Sequence, residues 1–61
     1  MQDYTIIKND REVCMVMTAR NSRNALEMYR RKCMNTGEYW YEKRDGENIL
    51  CTSFGAYYKA V

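Results

Sequence analysis

Hydrophobic and polar positions first alternate along this chain, then recur every three to four residues, then alternate again. Asp3–Lys8 (DYTIIK) and Arg11–Thr18 (REVCMVMT) are rich in β-branched and other strand-forming residues, which predicts two strands. Asn9-Asp10 separates them, and both residue types tolerate positive φ, so the pair can close a tight hairpin. The next run, SRNALEMYRRKCMN, sets Ala25, Leu26, Tyr29 and Cys33 on one helical stripe. A helix is therefore expected from Ser22 to about Asn35. Asn21 or Ser22 can cap its start, and Gly37 can supply the left-handed residue at its end. A second hairpin follows, with strands at Glu38–Lys43 and roughly Glu47–Tyr58 around Asp45-Gly46, the strongest turn signal in the chain. Gly55 marks a bulge or the end of the last strand, and AYYKAV is compatible with strand or with a helical turn. The order β-β-α-β-β predicts an α+β fold: a four-stranded antiparallel sheet with one helix packed on one face.

Side chains alternate across a strand, so each strand divides into two sets. With two-residue turns, Ile7, Cys14, Val16, Trp40, Ile49 and Cys51 share one face. Tyr4, Ile6, Val13, Met15, Met17, Tyr39, Tyr41, Leu50 and Thr52 share the other. A shift of one residue in either turn would exchange the sets. The Trp40 set is compact and aliphatic and matches the helix stripe, so the helix is expected there. That leaves the tyrosine and methionine face uncovered. Such a partly apolar surface on a small chain marks an interaction site, and both residue types are common in interfaces. Tyr4, Met15, Met17, Tyr39 and Tyr41 are the candidate protein-binding residues.

Composition sharpens this picture. Sixty-one residues make a single domain, 1–61, near the lower limit of what folds alone. That raises the expectation of a protein partner or of a homodimer. At 46% hydrophobic the chain is rich enough to fold, and a net charge of +2 is too mild to announce nucleic acid or a membrane surface. No apolar run approaches the roughly 18 residues of a membrane span, and the start does not read as a secretory signal. Cys14, Cys33 and Cys51 are odd in number and widely spaced, which suits buried thiols in a reducing cytoplasm better than a disulfide framework.

The chemistry is restricted too. With no histidine the commonest neutral-pH base is missing, together with Ser-His and Cys-His nucleophile pairs. Three dispersed thiols do not suggest a zinc site. No glycine-rich phosphate loop is present, and no motif pairs the carboxylates. The expectation is a non-catalytic protein with no catalytic residues, no metal and no cofactor. One feature points elsewhere. Arg20, Arg23, Arg30, Arg31, Lys43 and Arg44 form a basic set near tyrosines, a combination that can bind nucleic acid through phosphates and stacked bases. Glu27, four residues from both Arg23 and Arg31, explains part of that charge as ion pairing within the helix. The leading expectation is a small non-catalytic protein-binding or regulatory module, a homodimer or an inhibitor-like accessory protein of bacterial or mobile-element kind. Nucleic-acid binding is the alternative.

Overall fold

The computed structural model describes residues 1–34 and 37–61. Its elements are β1 (Gln2–Lys8), β2 (Glu12–Ala19), α1 (Ser22–Cys33), β3 (Tyr39–Arg44), β4 (Glu47–Thr52) and β5 (Tyr57–Ala60). The fold is α+β, with one helix and a five-stranded sheet in the order β2-β1-β5-β4-β3, every neighbouring pair antiparallel.

Both expected hairpins form at the expected residues. Asn9 and Asp10 take φ of 54° and 59°, and Arg11 N–H donates to the Lys8 carbonyl at 3.0 Å. Asp45 and Gly46 take φ of 51° and 79°, and the resulting register sets Trp40 against Cys51 and Tyr41 against Leu50. Of the two candidate caps the helix uses Asn21, whose side chain accepts from Asn24 N–H at 2.8 Å. The Asn24 side chain in turn accepts from the Arg20 amide just before the cap at 3.4 Å, which ties the end of β2 to the first turn of the helix. Arg30, Arg31 and Lys32 lie in the last turn, where the helix dipole favours positive charge. The expected helix end at Asn35 lies outside the described residues.

The expected four strands become five. The predicted long strand Glu47–Tyr58 is broken after Thr52 by a reversal in which Gly55 takes φ of 88°. The buried Thr52 hydroxyl holds this reversal: it donates to the Ala56 carbonyl at 2.8 Å and accepts from the Ala56 amide at 3.1 Å. The chain then returns as β5 and inserts between β1 and β4, joining the two hairpins into one sheet. β5 is the middle strand although it is only four residues long. Thr5 and Val61 extend its pairing with β1 by exchanging backbone hydrogen bonds of 2.7 and 3.0 Å.

The expected placement of the helix is also corrected. It packs on the tyrosine and methionine face, over a core of Ile6, Ala19, Ala25, Leu26, Tyr29, Leu50, Ala56 and Tyr58. Tyr4, Cys14, Met15, Met17, Tyr41 and Ala60 pack against this core. The physical reason is volume. Summed over the strands, the tyrosine and methionine set carries more apolar surface than the set opposite, although Trp40, the largest single side chain, stays 44% exposed on the other face. Ala19, Ala25 and Ala60 leave room for them, and the Tyr29 and Tyr58 rings meet at 5.2 Å between centroids.

A bulge alters the membership of the faces. Ile6 pairs with Met15 but Ile7 pairs with Val13, so Cys14 is the extra residue in β2. Cys14 therefore joins Met15 towards the core, and Val13 moves to the open face beside Ile7.

Candidate interaction surface

The helix face near β3 is closed by cation–aromatic contacts. The Arg23 guanidinium lies 4.0 Å from the Tyr41 ring centroid, and that of Arg30 lies 4.2 Å from Tyr39. Arg30 also donates to Glu27 at 2.6 Å, with Arg31 at 3.8 Å from the same oxygen. Partial burial pushes the Glu27 carboxyl up, but the hydrogen bond and charge of Arg30 outweigh it and hold the group below its ordinary range. Tyr39 and Tyr41 meet edge to face at 6.0 Å. The Tyr41 hydroxyl is buried near Glu27 and Arg23 without hydrogen-bond geometry to either.

The candidate protein-binding residues are thus brought to one face, but it is the face the helix occupies. Tyr4, Met15, Met17 and Tyr41 are half-buried there, and Tyr39 stays more open at the β3 margin. The basic set is dispersed. Arg23, Arg30 and Arg31 line the helix, with Arg23 and Arg30 already engaged with tyrosine rings. Arg44 pairs with Glu42 on the reverse of the sheet at 3.0 Å. Arg20 sits at the β2–α1 junction and Lys43 on β3, both exposed.

The open face carries a polar weave across β3, β4 and β5. Trp40 Nε1 donates to Glu42 at 2.7 Å, and Arg44 donates to the other oxygen of Glu42. Both hydrogen bonds hold the Glu42 carboxyl below its ordinary range. Lys59 Nζ lies 3.1 Å from Asp10 and 3.8 Å from Glu47, and the Tyr57 hydroxyl donates to Asp10 at 2.9 Å. Hydrogen bonds from Lys59 and Tyr57 lower Asp10, and the same contact raises Lys59. Ile49 and Cys51 are buried within this weave although no helix covers them, and burial pushes the Cys51 thiol up. A cleft of about 180 Å³ opens over Ile49, lined by Asp10, Arg44, Asp45, Glu47, Tyr57 and Lys59. Among the described residues, no three Cys, Asp or Glu side chains gather as a metal-holding group.

Exposed apolar side chains lie along β2, and also at Trp40 on β3, at Phe54 in the β4–β5 reversal and at Val61 beyond β5. Val13 is 64% exposed and Val16 59% exposed, both on the open face. Met15 and Met17 are half-buried on the helix side of the same strand. From Val13 to Ala19 the strand carries no charge, whereas the opposite edge, β3, ends in Glu42, Lys43 and Arg44. Charge is one means of blunting an edge, and beyond Glu12 at its start β2 lacks it. The sequence expectation included Met15 and Met17 but missed Val13, Val16 and the edge itself. The uncharged run VCMVMTA was the available signal; the bulge that sets its faces was not.

No helix among the described residues is long and apolar enough to cross a membrane. No protein-family model, curated protein or solved structure matches the chain.

Proposed function

We propose that this chain is a small non-catalytic protein-binding module, a homodimer or a regulatory accessory protein, that engages its partner along the β2 margin. The observation that carries this reading is an edge strand uncharged from Val13 to Ala19, with Val13 and Val16 exposed on one side and the half-buried Met15 and Met17 on the other. Strand addition to such an edge takes affinity from backbone hydrogen bonds and selectivity from alternate side chains. The expected contact set changes accordingly. Met15 and Met17 remain, while Tyr4, Tyr39 and Tyr41 serve the helix packing. Three thiols outside any disulfide suit a reducing compartment, so we place the module in the cytoplasm.

Nucleic-acid binding draws less support from the geometry. Two of the arginines spend their planar faces on Tyr39 and Tyr41, and Arg44 lies on the opposite face from the helix. A photo-crosslinking amino acid placed at Val16, and separately at Lys43, tests the reading in expressing cells. The expected result is a discrete protein adduct from position 16 and none from position 43. Adducts from position 43 alone, nucleic-acid adducts, or none from either position would overturn it.

A further inference from the structure

We propose that the occupant of the β2 edge is a second copy of this chain, paired antiparallel about a two-fold axis at Val16. The inference rests on the binding-module reading and names its partner. Its basis is the direction of backbone groups. Thr5 gives its N–H to Val61 and takes the Val61 N–H, so both of its polar groups point towards β5. Thr5 is paired with Val16, which makes this a non-hydrogen-bonded pair of the β1–β2 ladder. The N–H and C=O of Val16 therefore face the free edge.

The same alternation turns Thr18, opposite Asp3, outwards. Asn9 N–H donates to the Tyr57 carbonyl, so the β1 groups at Ile7 also point to β5 and its partner Val13 turns outwards. Val16 lies three positions after Val13 and two positions before Thr18. The bulge absorbs the extra residue, because their β1 partners Ile7, Thr5 and Asp3 are evenly spaced. The outward groups are then equally spaced about Val16. A two-fold axis there sets Val13 of one copy opposite Thr18 of the other and Val16 opposite Val16, so the edge is complementary to its own reverse.

Side chains agree with this register. Val16 meets Val16 and Val13 meets Thr18 on the open face, and Met15 meets Met17 on the helix side. No like charges fall opposite one another between Val13 and Ala19. Beyond that span the same register sets Glu12 opposite Ala19 and Arg11 opposite Arg20, so the two copies share the uncharged stretch Val13–Ala19 and no ion pair. The flank of the helix is compatible as well. Arg23 and Arg30 lean towards β3, which leaves the half-exposed Met28 on the opposite flank, the β2 side.

The axis makes the test specific, because Val16 opposes itself. Solution mass is measured across a concentration series for the wild type, Val16→Lys, Val16→Glu and a one-to-one mixture of the two variants. Val16 is exposed, so both variants keep the fold, and circular dichroism checks this. The wild type is expected to rise from 7.3 kDa towards twice that mass. Each variant alone places like charges on the axis and weakens pairing by about tenfold or more. The mixture is expected to recover the dimer. A wild type that stays monomeric at every concentration overturns the proposal, as do variants that pair like the wild type or a mixture that stays monomeric. A monomer that still gives a foreign protein adduct from position 16 removes the second copy but leaves the binding-module reading standing.

Discussion

Tyr41 shows how a single residue can be misjudged from its type. Its ring looks suited to an interface, yet it lies beneath Arg23 with its hydroxyl buried and unpartnered. An unsatisfied buried hydroxyl costs free energy, whereas an apolar ring of the same shape does not. Tyr41→Phe is therefore expected to leave urea stability unchanged or to raise it by up to about 1 kcal/mol. A loss larger than that would show that the hydroxyl is hydrogen-bonded after all. Asp10 gives a second residue-scale prediction. Its hydrogen bonds to Lys59 and Tyr57 hold its folded-state pKa below the ordinary 3.8. Stability from a lowered carboxyl is fully present above the unfolded value and is lost as pH falls through the folded one. The thermal midpoint should thus decline below about pH 4, and Asp10→Asn should make that decline shallower. Glu42 and Glu27 are also lowered, so the variant should keep part of the slope.

At the scale of elements, local signals were legible and long-range pairing was not. Asp45-Gly46 and Asn9-Asp10 announce their hairpins because positive φ is a property of those residues themselves. Asn21 and the basic last turn announce the helix for equally local reasons. Three features depended on contacts distant in sequence. The return of Tyr57–Ala60 to the centre of the sheet needs β1, more than forty residues away. The bulge at Cys14 reflects register against β1, not a glycine or other local marker. The helix-bearing face was decided by total volume, which alternation alone does not reveal. Asn9 joins the two scales: it holds a positive φ and its Oδ1 accepts from Tyr57 N–H at 3.0 Å, tying the first turn to β5. Asn9→Gly keeps the turn but loses that hydrogen bond, at a cost of about 0.5–1.5 kcal/mol. Asn9→Ala should cost about 1–2 kcal/mol more, because alanine also pays the left-handed strain. Equal unfolding midpoints for the two variants would contradict this assignment.

For the whole molecule, sheet, helix and edge form one argument. The helix is spent on most of the larger side chains, ion pairs and a tryptophan line the reverse face near β3, and β2 carries Val13 and Val16 exposed on an unpaired edge. A domain this small has little stability to spare, and pairing two edges would add backbone hydrogen bonds where they are missing. The most direct test reads those bonds individually. Amide hydrogen exchange is followed by NMR for Val16 and Thr18 at rising protein concentration, with the Val13 amide as a third reporter on the same edge. Exchange at Val16 and Thr18 is expected to be fast in dilute solution and to slow progressively as concentration rises, while amides on β3 remain unchanged. Fast exchange at Val16 at every concentration, or slowing that is confined to β3, would contradict the account.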